Sequence, residues 1–528
     1  MGKLVSAGRS MPAALNGMVV SSQPLASQAG LEVLKRGGNA VDATVAMAAV
    51  LNVVEPMSTG IGGDAFILIY LAKSREIKSL NASGRAPYAA TLEYFHERNI
   101  AAVPDEGMLP VTVPGALDGW ATVAERYGTM GLGDLLQPAI RYAEDGFPVA
   151  EKTAGEWAKA RKKLSAQPNS ASQYLIAGRA PKPGELFRQK HLAASLRKIA
   201  AGGKEVFYGG ELAEEIVRFS GANGGLLSLQ DFNDHSSTWV EPIRASYRGY
   251  EVVEMPPNTQ GMTVLQMLNM LELFDVASLG YNTAAYLHAF VEVKKLAFAD
   301  RDRYLADPER ARVPVEKLIG KSYAAERVRL IDPERAGDYS PGLGAISGDT
   351  QVFCAVDKEG NAVSFINSLF EGFGCGLVGG DTGIMLQNRG KLFSLDPSHP
   401  NCVAPHKRSS HTIMPAMVFK DGKPFLIFGV TGAHMQPQGQ VQVLANLIDF
   451  GMTLQEALDA PRVNHLEGLE VALEPGIGAG ARRELKRMGH KIVNEANFGG
   501  GQGIMIHPEY GTLLGGADPR KDGCAMGY

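Results

Sequence analysis

The amino-acid sequence predicts an α+β fold in which strands and helices form separate layers. Short apolar stretches alternate with polar residues as strands do, and stretches with helical periodicity lie before and between them. The two kinds of element do not alternate regularly, which disfavours a parallel sheet of βαβ units and favours layered packing. With 528 residues, of which 45% are hydrophobic and 20% charged, the chain has enough apolar side chains for a large core.

The part of the chain before residue 340 is predicted to contain the longer helices. A strand at residues 18–22 comes before a helix at 24–36, which two glycines end, and a second helix follows at about 39–54. The glycine-rich turn at 58–64 leads into the strand AFILIYL, and its glycines allow close approach of another backbone. The remaining predictions here are largely helical structure at 115–220, a strand at 249–257, and helices at about 263–274 and 283–304.

After residue 350 the pattern changes to strand hairpins. Residues 350–370 are predicted to form one hairpin, because Val352, Cys354 and Val356 alternate before a turn that contains Asp357 and Gly360. A second hairpin at 412–430, a helix at 436–450 and strands near 470 and 503 follow. The stretch DYSPGLGAISGD, which ends at residue 349, has the composition of an exposed loop.

Composition and motif content argue against several classes of function. A formal net charge of −4 gives no basic footprint for nucleic acid, and the longest apolar run, at 41–54, is too short and too polar to span a membrane. The first residues lack the apolar core of a secretory signal, and the four cysteines have neither metal-like nor redox-like spacing. We therefore expect a cytoplasmic protein without a metal or other cofactor. Zinc-hydrolase, P-loop and GxSxG motifs do not occur in the sequence.

Thr350 stands where the predicted loop meets the first strand of the hairpin. A threonine hydroxyl is a weak nucleophile without an adjacent base, but a threonine at a chain terminus can give its hydroxyl proton to its own α-amine. That amine titrates near pH ~8, close to working pH. Such a residue needs an exposed loop before it, cleavage of the preceding bond and a rigid strand. The alternative is a hydroxyl at the edge of an ordinary hairpin.

Two other groups of polar residues admit a structural interpretation. His411 and His434 lie in the strand-rich part and are candidate site residues, although histidines with satisfied hydrogen bonds in the core are the alternative. The charged stretch FADRDRYLADPER at 298–310 is interpreted as a solvated helix end.

Eight stretches spread over nearly the whole chain match a known pattern in both sequence and order. They are LKRGGNAVDATVA, GIGGDAF, VPGALDGW, EMPPNTQG, FADRDRYLADP, VDKEGNAVS, DFGMTLQEALDAPR and GGADPRKDGCAMGY. Together they resemble the γ-glutamyltransferase (glutathione hydrolase) family of N-terminal-nucleophile hydrolases. The resemblance implies a four-layer αββα fold and a precursor that cleaves itself between Asp349 and Thr350. The large subunit 1–349 and the small subunit 350–528 would then form one globular unit, with Thr350 as nucleophile.

The same resemblance implies roles for further residues. Ser368 matches a second hydroxyl that hydrogen-bonds the amine of the nucleophile, although the family usually has threonine there. Gly432 and Ala433 match a Gly-Gly pair whose backbone N–H groups form the oxyanion hole. Alanine can serve at the second position if its backbone angles permit, because the donor belongs to the main chain.

The residues that would recognise glutamate mostly differ from the family pattern. The arginine that clamps the α-carboxylate falls at Ser83, with Arg85 two residues on, and the key aspartate of an acidic pair falls at Leu392. The other replacements are Phe370 for an asparagine, Arg389 for a glutamate or glutamine, and His411 and Thr412 for two serines.

These differences predict a small amide substrate that carries a carboxylate but no α-ammonium. A buried ammonium without an acidic partner is costly, whereas Arg85 or Arg389, helped by His411 and Thr412, would suit an acid. The pattern resembles the branch of the family that includes oxamate amidohydrolase and acylase-like members. We expect an amidohydrolase or acyltransferase that forms an acyl-enzyme and uses water or an amine as acceptor. The sequence leaves open a homo-oligomer, an ordinary glutathione hydrolase and a non-catalytic binding relative.

Overall fold

The structure, a computed structural model, describes residues 8–339, 349–495 and 497–528. The strands are β1 Ala13–Ala14, β2 Met18–Ser21, β3 Asp64–Leu71, β4 Glu76–Ala82, β5 Phe147–Pro148, β6 Leu186–Phe187, β7 Thr238–Val240, β8 Ile243–Tyr247, β9 Tyr250–Glu254, β10 Asp349–Val356, β11 Ala362–Phe370, β12 Ala416–Lys420, β13 Lys423–Val430, β14 Val463–His465, β15 Glu470–Leu473, β16 Lys491–Val493, β17 Gly501–Ile506, β18 Leu513–Ala517 and β19 Cys524–Gly527. The helices are α1 Pro24–Lys35, α2 Ala40–Val54, α3 Leu92–Glu97, α4 Ala116–Tyr127, α5 Leu132–Leu135, α6 Gln137–Asp145, α7 Glu151–Lys159, α8 Arg161–Ser165, α9 Pro168–Tyr174, α10 Lys190–Gly202, α11 Glu205–Tyr208, α12 Glu211–Ala222, α13 Leu229–Asn233, α14 Gly261–Leu271, α15 Val276–Leu279, α16 Ala284–Tyr304, α17 Val315–Leu318, α18 Lys321–Val328, α19 Met435–Ile448, α20 Leu454–Asp459 and α21 Ala479–Arg487, with 3₁₀ turns at Gly380–Thr382 and Arg389–Leu392. Among the helices that the structure describes, none is long and apolar enough to cross a bilayer.

Two antiparallel seven-stranded sheets form the framework of the molecule. The first has the strand order β1-β18-β17-β13-β12-β9-β8, and the second has the order β19-β2-β10-β11-β3-β4-β7. The predicted hairpin at 350–370 corresponds to β10 and β11, which occupy the middle of the second sheet with Val352 opposite Ile366. Two smaller sheets, β14-β15-β16 and β5-β6, lie outside this framework.

The three largest apolar clusters of the described residues hold the sheets and helices together. Successive strand residues point to opposite faces of a sheet, so Phe66 contributes to the cluster between the two sheets while Ile67 contributes to the cluster under α2 and α4. The third cluster packs α14, α16 and α19 against the other face of the first sheet. Full burial of each such side chain contributes about 1.5–3 kcal/mol. Strands β10 and β11 are therefore held from both sides.

The predicted mixed fold with antiparallel strands is confirmed. The helix predicted at 24–36 is α1, and the helix predicted at 39–54 is α2, which Asn39 caps. The Asn39 side chain accepts a hydrogen bond from the Asp42 N–H, and the Asp42 carboxylate accepts one from the Asn39 N–H. The loop predicted up to residue 349 includes residues 340–348, which lie outside the described residues, so its exposure stays a prediction.

The interpretation of residues 298–310 as a solvated helix end is correct for Arg303 and residues 308–310 but wrong for the buried residues between and before them. In the last turns of α16, Asp300 is 7% exposed and Arg301 is 3% exposed, whereas Arg303 faces solvent. Charged side chains can be buried when they are paired. Arg301 forms an ion pair with Asp302, and Asp300 forms one with Arg327.

Candidate active site

The hairpin of β10 and β11 places Thr350 beside Ser368. Their hydroxyl oxygens lie 3.1 Å apart, and each residue is at most 1% exposed. The pairing register shifts between Asp349 and Gln351, which leaves one extra residue on β11 opposite Thr350. Such a bulge redirects side chains and is frequent next to active sites. The Ser368 hydroxyl also accepts a hydrogen bond of 2.8 Å from the Phe370 N–H.

The glycine-rich turn before β3 packs directly against the backbone of this hairpin. A Cβ atom at Gly63 would lie 2.2 Å from the Ser368 carbonyl oxygen, and one at Gly62 would lie 2.0 Å from the Met385 carbonyl oxygen. Side chains at these two positions would collide with backbone atoms, so only glycine fits. The prediction of close backbone approach at this turn is confirmed.

Arg389 is a buried cation in contact with the Ser368 hydroxyl of this pair. Its Nη2 donates to the Ser368 hydroxyl at 3.1 Å, its Nη1 donates to the Thr412 hydroxyl at 2.9 Å, and its Cζ lies 4.3 Å from the centre of the Phe370 ring. Burial lowers the pKa of Arg389 to about 9, which leaves it charged at neutral pH. It forms no ion pair with a carboxylate of the described residues, and its Nε has no hydrogen-bond partner among them.

A carboxylate–imidazole pair lies behind Arg389. The His411 Nε2–H donates to Asp64 at 3.1 Å, and the His411 Nδ1 accepts from the Ile413 N–H at 3.4 Å. Burial, with a smaller effect of Arg389, lowers the pKa of His411 to about 3, so the ring is neutral. Burial alone would raise the pKa of Asp64, but the hydrogen bond from His411 and the charge of Arg389 outweigh it and lower this pKa. Asp64 also accepts from Gln387 at 2.9 Å.

A turn with left-handed backbone angles precedes α19. The φ angles of Gly432 and Ala433 are +109° and +50°, and the turn is closed by a bond of 2.8 Å from the Met435 N–H to the Gly432 carbonyl. Within the part of the chain that the structure describes, the N–H groups of Gly432 and Ala433 have no hydrogen-bond acceptor. Such a pair of N–H groups at a helix N-terminus can stabilise a developing oxyanion.

Two buried polar side chains hold this turn in place. Gln260 donates from Nε2 to the Ala433 carbonyl at 3.0 Å and to the Thr412 carbonyl at 2.7 Å. Arg301 donates from Nη1 to the Gln260 Oε1 at 3.1 Å and to the His434 Nδ1 at 2.8 Å. The sequence-based interpretation missed Arg301. Arg301 stands between Asp300 and Asp302 in a helix that carries several other charged residues, so the sequence held no signal that set it apart.

A narrow cavity opens beside the turn and Arg389's partner Thr412. The carboxylate of Asp302 is the only one among the described residues that line it, and Asp302 is paired with Arg301. The lining residues are Gln260, Arg301, Asp302, Leu305, Leu392, His399, Asn401, Ser410, His411, Thr412 and His434. The cavity therefore presents no free carboxylate of the described residues to a bound ammonium group.

The whole chain resembles known proteins in sequence. The family described as Gamma-glutamyltranspeptidase matches residues 26–528. The chain belongs to the gamma-glutamyltranspeptidase family. It is 42% identical to the glutathione hydrolase-like YwrD proenzyme of Bacillus subtilis, with 97% of this chain and 98% of that protein covered. It is 39% identical to the acylase ACY 1 proenzyme of a Pseudomonas species (96% and 92% covered) and 36% identical to the oxamate amidohydrolase proenzyme of Klebsiella pneumoniae (97% and 98% covered).

A solved structure also resembles this gamma-glutamyltranspeptidase chain over its full length. The cephalosporin acylase of Bacillus halodurans superposes with a TM-score of 0.94 at 42% identity, with 100% of this chain and 98% of that chain covered. The likeness at this level of identity covers every element around Thr350 and Arg389.

Most of the residues that depart from the gamma-glutamyltranspeptidase pattern lie near Arg389 and the cavity, whereas Arg85 is engaged elsewhere. Phe370 stacks on Arg389, and Leu392 lines the cavity. Arg85, by contrast, pairs with Glu309 at 3.0 Å, and Glu309 also pairs with Arg408 at 3.0 Å. The predicted role of Arg85 in holding a carboxylate is not supported, because its guanidinium is already paired. His411 is likewise neutral and bonded to Asp64, so it adds no positive charge for an acid.

Proposed function

We propose that this chain is a self-processing hydrolase or acyltransferase that cleaves the amide bond of a small carboxylate-bearing substrate. Cleavage of the Asp349–Thr350 bond would release Thr350 as an N-terminus, with residues 1–349 and 350–528 as large and small subunits. The three relatives support this proposal, since their names describe them as proenzymes. The three apolar clusters support the four-layer αββα sandwich of N-terminal-nucleophile hydrolases as the full arrangement.

Each residue of the site has a role in the proposed reaction. The Thr350 hydroxyl oxygen bonds to the amide carbon while its proton passes to the α-amine of the same residue. The N–H groups of Gly432 and Ala433 hold the negative oxygen that forms. The C–N bond then breaks, the nitrogen takes the proton from the amine, and the acyl group stays on Thr350 until water or an amine removes it. Ser368 orients the amine.

The observation that carries the substrate proposal is the buried guanidinium of Arg389, which makes no direct ion pair among the described residues although Asp64 and Glu371 lie near enough for their charges to act on it. Burial outweighs the attraction of these two carboxylates and lowers the pKa of Arg389, and a carboxylate of the substrate in direct contact would supply the missing ion pair. Arg389 reaches Ser368, which bonds Thr350, so an acid held there would place its neighbouring carbonyl near the nucleophile. The planar guanidinium suits a carboxylate in a bidentate geometry, and Thr412 offers a further hydroxyl.

The cavity beside Arg389, which shares Thr412 with the Arg389 site, is unsuited to an α-ammonium group. Leu392 lines the cavity, Asp302 is already paired, and Arg389 would repel a second cation. An ammonium placed there loses several kcal/mol of pairing, which corresponds to about 10²–10³ in kcat/KM. We therefore place an oxamate-like amide ahead of a γ-glutamyl amide.

This proposal is tested by comparing amides on the same purified enzyme. Ammonia release from oxamate is measured beside p-nitroaniline release from two anilides, glutaryl-p-nitroanilide and γ-glutamyl-p-nitroanilide. The two anilides differ only in the α-ammonium. We expect oxamate to be hydrolysed and the glutaryl compound to exceed the γ-glutamyl compound by about 10²-fold or more in kcat/KM. A γ-glutamyl compound that is hydrolysed best by a wide margin would establish ordinary glutathione hydrolase activity instead.

A second candidate function is that of an acylase for N-acyl amines larger than oxamate. The likeness to a cephalosporin acylase over the whole chain favours it. Under this alternative the glutaryl anilide, rather than oxamate, is the better substrate in the same comparison. Both candidates use the same carboxylate site at Arg389.

Ser368→Ala is expected to lower kcat by about 10-fold or more while KM changes less. The hydroxyl orients the amine that carries the proton and contributes little to substrate binding. Ser364→Ala is the matched control, because Ser364 lies buried on the same strand but bonds the Phe428 carbonyl at 2.9 Å. Steady-state kinetics of both variants on oxamate test the role. An unchanged kcat in Ser368→Ala would contradict it.

A further inference from the structure

A buried glutamine lies against the proposed nucleophile on the side of the oxyanion turn. Gln436 is in the first turn of α19 and is fully buried. Its Nε2 lies 3.5 Å from the Thr350 hydroxyl oxygen, and its backbone N–H donates to the Ala433 carbonyl at 3.1 Å. The side chain is therefore attached to the same turn that presents the two free N–H groups.

The carboxamide of Gln436 is only half satisfied. Its Oε1 is buried and has no hydrogen-bond partner among the described residues. Two other glutamines of α19 differ in this respect. Gln438 accepts from the His465 N–H at 2.9 Å, and Gln442 accepts from the Val463 N–H at 2.9 Å, so both carboxamide oxygens are used to fix strand β14.

A buried carbonyl oxygen without a donor costs free energy unless a donor arrives. Oε1 shares a carbon with Nε2, so it is within reach of a group bound at the Thr350 hydroxyl. A carboxamide has no proton to lose at neutral pH, so Gln436 can hold and orient a group but cannot act as an acid or a base.

We propose that the Gln436 Oε1 accepts a hydrogen bond from the N–H of the scissile amide and so selects nitrogen leaving groups over oxygen leaving groups. The inference rests on the proposed amide hydrolysis at Thr350. When the Thr350 oxygen bonds to the carbonyl carbon, the nitrogen becomes pyramidal and keeps one lone pair. Gln436 holds an N–H of that nitrogen, which leaves the lone pair free to take the proton from the Thr350 amine before the C–N bond breaks. An ester has no N–H at this position and makes no such bond.

The test compares an amide and an ester of one acid, oxamate and monoethyl oxalate, by the rate of oxalate formation. We expect Gln436→Met to lower kcat/KM for oxamate by about 10-fold and that for the ester by less than about 3-fold. The glutaryl anilide and a glutaryl phenyl ester form a second such pair. Gln436→Glu keeps an acceptor oxygen. The ratio of its kcat/KM for the amide to that for the ester should therefore stay near the wild-type ratio, even if both values fall.

Gln440→Met is the matched control. Gln440 lies one turn further along α19, is equally buried and also has an unpartnered carboxamide oxygen, but it donates to the Met414 carbonyl at 3.1 Å instead of the nucleophile. The ratio of kcat/KM for the amide to kcat/KM for the ester should be the same in Gln440→Met as in the wild type. An equal fall for amide and ester in Gln436→Met, or no fall, overturns the inference while the hydrolysis stands. A wild-type enzyme that hydrolyses neither pair overturns the proposed function and the inference with it.

Discussion

A Thr350→Ala chain is expected to remain a single folded polypeptide of 528 residues without amidase activity. The substitution removes the hydroxyl that would attack the Asp349 carbonyl in self-cleavage and the substrate carbonyl in turnover. We expect a loss of at least about 10⁴-fold in kcat/KM, as for other nucleophiles that act together with a base. Folding should be little affected, because Ser368 keeps its bonds to Arg389 and the Phe370 N–H.

Denaturing gel electrophoresis and ammonia release from oxamate check this prediction. Thr350→Ser is the control variant, since it keeps a hydroxyl and should still cleave, more slowly. Thermal unfolding of the Thr350→Ala chain shows whether it is folded. Two fragments from a folded Thr350→Ala chain would mean that another residue cuts the precursor.

Arg389→Met is expected to lower kcat/KM for oxamate by about 10²–10³-fold and to leave the protein as stable as before or more stable. The fall in kcat/KM and the unchanged or increased stability have the same cause. A buried guanidinium without a direct ion pair costs stability in the free protein, because burial outweighs the attraction of Asp64 and Glu371, and it becomes favourable when the substrate carboxylate binds. Arg389→Lys should recover little activity, because an ammonium cannot reproduce the bidentate geometry.

Arg462→Met separates this binding role from a structural one. Arg462 is as buried as Arg389, but it pairs with Asp518 at 2.6 Å. Its replacement should reduce the free energy of unfolding by about 3 kcal/mol or more and leave KM of the folded enzyme unchanged. Urea unfolding and steady-state kinetics of the two variants decide between the roles. Strong destabilisation in Arg389→Met with unchanged KM would mean that Arg389 serves the fold.

The parts of the fold that depend on local pattern were predictable from the sequence. The helix at Ala40–Val54 follows from its cap and its apolar residues, and the hairpin at 350–370 follows from alternation and turn residues. The position of Thr350 at the start of a strand was visible for the same reason. The order of the strands in the two sheets was not visible, because it depends on pairs of segments far apart in the chain.

The candidate site was predictable only where the matched stretches fix the alignment of the residues close to them. Thr350 and Ser368 lie on either side of the matched stretch at 356–364 and Gly432 lies before the one at 449–462, so the neighbouring stretches set their alignment, and Arg389 stood out as a charge in an unexpected position. Arg85 looked equally suitable in sequence, and only the fold brings Glu309, 224 residues away, to its guanidinium. The bond between Asp64 and His411 spans 347 residues. Such contacts between residues far apart in the chain decide whether a charged side chain is available to a ligand. The spacing of residues in the sequence does not reveal these contacts.

The central claim is that the bond between Asp349 and Thr350 is cleaved by the chain itself to free a threonine nucleophile. N-terminal sequencing of the smaller fragment of the purified protein tests it most directly. We expect this fragment to begin Thr-Gln-Val-Phe and to appear without added protease. An uncut chain that hydrolyses oxamate, or a fragment with a different first residue, would contradict the assignment of Thr350.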